Sequence, residues 1–249
     1  MTRPIASGKI STAPPSVYYL LDFITSAEEQ LLIDKVLNAP KPKWIHLKNR
    51  RLQNWGGIVS AQGMIAEPLP VWLTDLFPRF HESGVFEGLD ATHRDPNHCL
   101  VNEYLAGQGI MPHKDGPAYL PTVATVSLSS HCVLEFYKCL ETGESGTMTS
   151  TVSSSCADDV RNQEPEFSIL VQPRSLLVLK EDVYNKYMHG IRELTVDDLS
   201  KGNIQNLEQC LPEGYLNQNT VLERSTRISL TFRIVQKTMS SKKLLFQKR

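Results

Sequence analysis

TRISLTFRIV, residues 226–235, is the stretch that decides the fold, because polar and apolar side chains alternate without interruption along its central part, residues 227–233. The polar members are Arg227, Ser229, Thr231 and Arg233, and the apolar members are Ile228, Leu230 and Phe232. Successive side chains of a β-strand point to opposite faces of the sheet, so one face of this strand is polar. A half-exposed strand gives the same alternation. An inward-facing arginine would instead need a buried anion, and a dicarboxylate would satisfy it.

Short β-rich runs precede this strand and are separated by turn residues. They are CLVNEYL (99–105), VATVSLSS (123–130), CVLEFYK (132–138), FSILVQ (167–172) and SLLVLK (175–180). Several such strands in succession predict an antiparallel sandwich or jelly roll. Residues 141–166 are rich in Ser, Thr and acids, which predicts a flexible surface insertion. Residues 192–223 form a second polar excursion, in which we expect a short helix.

The first part of the chain has a mixed pattern. Residues 17–20 predict a short strand, and Ser26 with Glu29 has the spacing of a capping box for a helix to about Asn38. Its predicted buried stripe is Leu31, Leu32, Val36 and Leu37. Residues 69–82 have helical spacing that Pro78 breaks or kinks. We expect residues 1–95 to be an N-terminal extension of the same domain, residues 96–238 its core, and residues 239–249 a basic tail.

A second motif, His113-Lys114-Asp115, follows the run at 99–105 after a glycine-containing turn. On an extended backbone, residues two apart share a face, so this imidazole and carboxylate can bind one metal ion. The motif is weak by itself, because His93-Arg94-Asp95 repeats it ahead of Pro96, where we expect a surface turn. Of the two copies, only His113-Lys114-Asp115 lies among predicted strands, with His189 and the arginine strand after it. Two histidines and one carboxylate leave positions open on Fe(II) for a co-substrate and O2.

The composition narrows the class of protein. The chain has 249 residues, 41% of them hydrophobic, which suits one catalytic domain, and its net charge of -1 gives no general attraction to nucleic acid or membrane. Five cysteines without a C-x-x-C pair argue against a disulfide scaffold or a zinc ribbon. With neither a secretory signal nor a long apolar run, we expect a protein of the cytoplasm and nucleus that does not contact membranes. We also expect it to be a monomer.

Asn102 and Tyr104 share a face of the strand ahead of the metal motif and can reach the same ligand. With the motifs at 113–115, 189–190 and 227–233, this pair resembles the AlkB-like family of 2-oxoglutarate dioxygenases. The resemblance implies a mainly β fold with flanking helices, a double-stranded β-helix or jelly-roll core, and Fe(II) held by His113, Asp115 and His189. It further implies 2-oxoglutarate contacts from Asn102, Tyr104, Arg227, Ser229, Thr231 and Arg233, with Arg227 and Tyr104 at the distal carboxylate.

The resemblance also implies the chemistry. Oxidative decarboxylation of 2-oxoglutarate by O2 yields succinate and CO2 and drives hydroxylation of a C–H bond, typically in an N-methyl group that leaves as formaldehyde. The substrate class implied is a methylated nucleic acid, RNA or DNA, or a protein. In the family, the segment before the barrel folds as a nucleotide-recognition lid, which here corresponds to about residues 40–63.

Basic residues alternate with tryptophans in this lid segment, a composition suited to phosphate binding and base stacking. The predicted substrate contacts are Lys43, Trp44, Arg50, Arg51 and Trp55. The alternative is a solvated basic loop whose tryptophans pack into the core. Both interpretations stay open on the sequence alone.

Two positions depart from the family pattern. Base-repairing members carry an acid two residues beyond the metal-binding Asp, whereas this chain has Pro117, which argues against repair of alkylated bases. Ser229 stands where Asn is usual, which can alter hydrogen bonding to the co-substrate. Two other hypotheses therefore stay open. One is a catalytically weak AlkB-like module that binds modified RNA or DNA; the other is a zinc-binding cupin, which would not need Arg227 and Arg233.

Overall fold

The computed structural model describes residues 3–89, 94–138, 163–212, 215 and 220–239. The strands are β1 (Val17–Leu20), β2 (Ile45–Leu47), β3 (Arg50–Trp55), β4 (Val59–Ser60), β5 (Gly63–Ile65), β6 (His98–Tyr104), β7 (Ile110–His113), β8 (Thr122–Leu128), β9 (Cys132–Lys138), β10 (Phe167–Val171), β11 (Leu176–Lys180), β12 (Tyr187–Ile191), β13 (Val196–Asp198), β14 (Val221–Glu223), β15 (Arg227–Arg233) and β16 (Thr238–Met239). The helices are α1 (Ser26–Leu37), α2 (Val71–Thr74), α3 (Phe77–Ser83), α4 (Glu181–Lys186) and α5 (Leu207–Cys210), with short 3-10 helices at Ile5–Gly8 and Lys41–Lys43.

Two antiparallel sheets form the core. The major sheet has seven strands in the order β1-β11-β8-β15-β6-β3-β2, and the minor sheet has four in the order β10-β9-β12-β7. This architecture confirms the predicted mainly β, jelly-roll fold with flanking helices. Among the residues that the structure describes, no helix has the length and hydrophobicity needed to cross a bilayer.

Each face of the major sheet packs on a different layer. On the outer face, α1 and the α2–α3 segment bury Leu32, Leu73 and Phe80 against β15 residues such as Leu230 and Phe232. On the inner face, Tyr104 and other residues of the major sheet pack with Phe136 and Ile169 of the minor sheet. Burial of apolar area on both faces is the main stabilising contribution to such a layered fold. The polar site lies within the inner layer.

Helix α1 is confirmed, but its predicted cap was wrong by one residue. Thr25 is the N-cap: its hydroxyl accepts a hydrogen bond from the Glu28 amide at 3.2 Å, and the Glu28 carboxylate accepts one from the Thr25 amide at 2.7 Å. Thr25 and Glu28 have the same three-residue spacing, and Thr25 has the extended backbone of an N-cap, whereas Ser26 is already the first helical residue. The Glu29 carboxylate instead accepts a hydrogen bond from the Ser129 amide at 2.8 Å, so the local spacing alone did not decide between the two capping boxes.

The predicted buried stripe of α1 was half right. Leu32 and Val36 are buried, whereas Leu31 and Leu37 are about half exposed. The stripe is narrow because only one edge of this helix meets the sheet, and residues next to each other in sequence lie about 100° apart around a helix.

Other predicted elements compare as follows. The lid segment forms the β2–β3 hairpin followed by β4, and the helical stretch at 69–82 is broken into α2 and α3, with Pro78 in the first turn of α3. The excursion at 192–223 contains β13, α5 and β14. Most of the predicted insertion at 141–166, namely residues 141–162, lies outside the described residues, as do residues 240–249 of the predicted tail.

Adjacent leucines of α1 provide a matched test of this packing. We expect Leu32→Ala to lower the free energy of unfolding by about 2–5 kcal/mol, because it opens a cavity in the core. Leu31→Ala removes the same atoms from a side chain that is 52% exposed, and should change it by less than about 0.5 kcal/mol. Urea denaturation of both variants measures the difference; equal losses would contradict the assigned helix orientation.

Candidate metal centre and anion cavity

The polar face of β15 points into the protein. All seven residues of this strand are buried, because it lies between β6 and β8 and both of its faces are covered. The half-exposed interpretation of its alternation is therefore wrong. Its polar residues line a cavity of about 560 Å³ between the two sheets. The β15 residues that line it are Arg227, Ser229, Thr231 and Arg233.

His113, Asp115 and His189 meet at one end of this cavity. Their ligand atoms all lie within 4.8 Å of one another, a separation that one metal ion can bridge. His113 ends β7 and pairs in register with His189 of β12, whereas Asp115 lies just beyond the strand. Strand pairing thus positions the histidines, and the irregular segment after β7 carries the carboxylate.

The protonation states suit metal binding. Burial, and then the neighbouring His113, lowers the pKa of His189 to about 4, and burial also lowers the pKa of His113. Both rings are therefore neutral at pH 7, the form that binds metals. His113 Nδ1 donates to the Met111 carbonyl at 2.9 Å, which leaves Nε2 free as a ligand atom.

Asp115 is held as a carboxylate. Burial alone would raise its pKa, but the positive charge of Arg233, with smaller effects from His189 and His113, lowers it. Arg233 forms an ion pair with the Asp115 carboxylate, and both side chains are almost fully buried. A 2-His-1-carboxylate set with cavity space beside it is the donor arrangement of non-haem Fe(II) oxygenases.

The other copy of the metal motif lies elsewhere. Asp95 pairs with His81 at 2.7 Å, and both side chains are about half exposed. Arg94 is also exposed, and His93 lies outside the described residues. The part of this turn that the structure describes is on the surface, as we expected.

Arg227 lies in the cavity lining with an incomplete set of partners. It is only 6% exposed, and its Nη2 donates to Ser127 Oγ at 2.8 Å. Its Nε has no hydrogen-bond partner among the described residues, and its guanidinium carbon lies 5.9 Å from the Tyr104 ring centroid. A buried guanidinium is costly unless an anion pairs with it. The cavity therefore suits a carboxylate at Arg227, as a 2-oxoglutarate site requires.

Three further residues predicted to contact the co-substrate, Asn102, Ser229 and Thr231, also line the cavity. Asn102 Oδ1 accepts a hydrogen bond from Arg50 Nε at 3.1 Å, and the Thr125 hydroxyl lies 3.4 Å from that of Thr231. Ser229 lines the same cavity. The sequence analysis missed Thr125 and Ser127 as site residues. The available signal was that Thr125 and Ser127 alternate with apolar residues in TVATVSL, which places both on one face of the strand. In the structure Ser127 pairs with Ser229 of the neighbouring strand β15.

The predicted substrate contacts divide between two faces of the lid hairpin. Arg50 lines the cavity, whereas Arg51 is on the opposite face and makes a bidentate ion pair, 2.6 and 2.7 Å, with buried Glu103. The Arg51 guanidinium also stacks 4.0 Å from the Trp44 ring centroid. Lys43 lies 4.4 Å from that of Trp55.

Both tryptophans pack against the outer core, on the side of the sheet away from the cavity. The structure thus brings Arg50 to the cavity that also contains the metal ligands, whereas Lys43, Trp44, Arg51 and Trp55 are not among the residues that line it. Lys48 and Asn49, at the hairpin turn, also line the cavity, and Lys48 is exposed.

Comparisons with known proteins identify the family. Residues 25–233 match the family described as the 2OG-Fe(II) oxygenase superfamily. A Danio rerio protein named "Probable RNA/DNA demethylase ALKBH6" is 42% identical over 241 residues, which cover 96% of this chain and 94% of that protein. The segments PKPKW (40–44), LQNWGG (52–57) and GIMPHKDGP (109–117) resemble the sixth AlkB homologue of eukaryotes, and this match confirms the likeness.

Solved structures share the fold. OsALKBH1 gives a TM-score of 0.51 at 13% identity, covering 91% of this chain and 100% of that chain. A 2OG-Fe(II) oxygenase family oxidoreductase from Burkholderia pseudomallei gives 0.50 at 11% identity, covering 90% and 89%. At these identities the likeness shows a common architecture.

Replacement of Arg227 tests the anion site. We expect Arg227→Met to weaken 2-oxoglutarate binding about 10–100-fold, because it removes charge-assisted hydrogen bonds and keeps an unbranched side chain. Ser127→Ala, which removes only a neutral partner of Arg227, should weaken it by about 10-fold or less. Calorimetry on the Mn(II)-loaded protein without O2 measures both. Unchanged affinity in Arg227→Met would show that the anion binds elsewhere.

Proposed function

The chain belongs to the 2OG-Fe(II) oxygenase superfamily, and on that basis we propose that it oxidatively demethylates a methylated nucleic acid. In this proposal Fe(II) is held by His113, Asp115 and His189, and 2-oxoglutarate lies in the adjoining cavity. The observation that carries it is the convergence of that ligand set and an incompletely paired, buried Arg227 on one cavity. A zinc-binding cupin would not need this arginine.

The residues of the chain have separable roles. When bound, Fe(II), 2-oxoglutarate and O2 would together supply decarboxylation of 2-oxoglutarate coupled to hydroxylation of a C–H bond of the substrate. Arg233 keeps Asp115 ionised, and the Met111 carbonyl fixes the ring tautomer of His113. Arg227 orients the dicarboxylate, and apolar cavity walls such as Leu177 limit water around the site.

Nucleic acid as substrate is supported by two observations. The relative that is 42% identical is named a probable RNA/DNA demethylase. Lys48 and Arg50 also place positive charge at the cavity lining, where a phosphate next to a target base would lie. We propose Arg50 as a principal substrate contact. The other predicted substrate contacts are paired with one another on the opposite face of the hairpin, so the cavity geometry does not support them and they stay a prediction. These residues are Lys43, Trp44, Arg51 and Trp55.

Two aspartates from the two His-x-Asp motifs test catalysis. We expect Asp115→Ala to abolish iron-dependent succinate release, because a metal ligand and the partner of Arg233 are both lost. Asp95→Ala, in the surface copy of the motif, should retain wild-type turnover. Succinate is measured over a panel of methylated RNA and DNA oligonucleotides and peptides. Turnover that persists in Asp115→Ala would contradict the proposed dioxygenase.

The same panel decides between catalysis and binding alone. Stimulation of succinate release by one methylated substrate class supports demethylation. Oligonucleotide binding without stimulation by any substrate would instead support a binding module, the reading suggested by Pro117 beyond the metal motif.

Arg50 allows a test of the substrate surface. We expect Arg50→Ala to weaken binding of a single-stranded oligonucleotide and to reduce the slope of log affinity against log salt concentration by about 0.7. Lys201→Ala, at an exposed cation paired with Asp198, should leave that slope unchanged. Fluorescence anisotropy at several salt concentrations measures both variants. A full salt slope in Arg50→Ala would contradict phosphate contact by this residue.

A further inference from the structure

Asp115 sits on a segment that lacks strand support. β7 ends at His113, and residues 114–116 belong to no helix or strand. Gly116 has a φ of +94°, a conformation that side-chain-bearing residues rarely adopt, and a turn follows at residues 117–118. The carboxylate of the metal centre therefore depends on other contacts for its position.

Helix α4 supplies two of these contacts. The Tyr184 hydroxyl donates a hydrogen bond to the Gly116 carbonyl at 2.7 Å. Lys114 Nζ donates one to the Asn185 carbonyl, in the last turn of α4, at 2.6 Å. Carbonyls at a helix C-terminus lack partners within the helix, so a lysine is a suitable donor there. These two bonds hold the residues on both sides of Asp115.

α4 is itself firmly placed. Val183 is 2% exposed and packs in the inner core, and the Glu181 amide donates to the Pro121 carbonyl at 3.0 Å. The helix runs directly into β12, so the segment that contacts the Asp115 turn also carries His189. Two ligands from distant parts of the chain are thus linked through one short helix.

We propose that Tyr184 is a positioning residue for the metal centre and that Lys114 assists it. Tyr184 fixes the carbonyl of Gly116, the residue after Asp115. It thereby sets the Asp115 carboxylate at the correct distance from His113 and His189 before the metal binds. Burial, and then the charge of Asp115, raises the pKa of Tyr184, so its hydroxyl stays protonated and able to donate. This inference rests on the proposed metal centre.

Tyr184→Phe removes only the donor hydroxyl, and Co(II), a spectroscopic substitute for Fe(II), reports on the ligands. We expect Co(II) affinity to fall about 10-fold, as is typical when an outer-shell partner is lost, with changed visible absorption bands. Lys114→Met should give a smaller loss, because Lys114 is exposed. Tyr187→Phe is the matched control: its hydroxyl donates to Glu166 at 2.9 Å, away from the metal turn. This variant should keep wild-type Co(II) affinity and spectrum.

The outcomes separate the two levels of inference. Wild-type Co(II) affinity and spectrum in Tyr184→Phe, with only the same loss of thermal stability as in Tyr187→Phe, would overturn the positioning role and leave the metal centre intact. If the wild-type protein itself binds no Co(II), or if His189→Ala binds it equally well, the proposed metal centre fails, and the role of Tyr184 fails with it.

Discussion

The burial of two arginines on the inner face of β15 is the constraint on which the rest of the structure depends. Moving a guanidinium out of water costs several kcal/mol unless an opposite charge and hydrogen bonds compensate. Arg233 pairs with Asp115, whereas Arg227 has, among the described residues, the Ser127 hydroxyl and the nearby ring of Tyr104 but no carboxylate partner. Both arginines keep a buried Nε without a hydrogen-bond partner among the described residues, but Arg233 already faces a carboxylate, so Arg227 is the one suited to an incoming anion.

The Arg233–Asp115 pair also joins the two sheets chemically. Arg233 belongs to the major sheet, while Asp115 follows β7 of the minor sheet, next to histidines that the minor sheet places in register. The ion pair thus keeps the carboxylate charged at the point where the sheets meet. An anionic carboxylate with two neutral imidazoles is the form that a divalent metal requires, so the charge balance of the fold and the metal centre are the same arrangement.

Alternation in TRISLTFRIV predicted a strand with a polar face, and the order of motifs predicted which His-x-Asp copy lies among strands. The pattern could not show whether the polar face meets solvent or a cavity, because both give the same period. The local rules also misplaced a cap: Ser26 and Glu29 had the correct spacing, but Glu29 is drawn to Ser129 and Thr25 takes the cap. In the lid, composition grouped Arg50 with Arg51, although neighbours on a strand face opposite ways.

The sequence by itself determined the strands β1, β6, β8, β9, β10, β11 and β15, the polar and apolar sides of β15, and the residue types able to hold iron and a dicarboxylate, since these depend on local periodicity and side-chain chemistry. Only the tertiary structure decided that β15 is buried on both faces, that Arg233 neutralises Asp115, that Arg50 rather than Arg51 reaches the cavity, and that Tyr184 holds the turn beyond the metal ligand. These decisions depend on which distant segments pack together, and side-chain patterns within one segment carry no information about the partner that covers it.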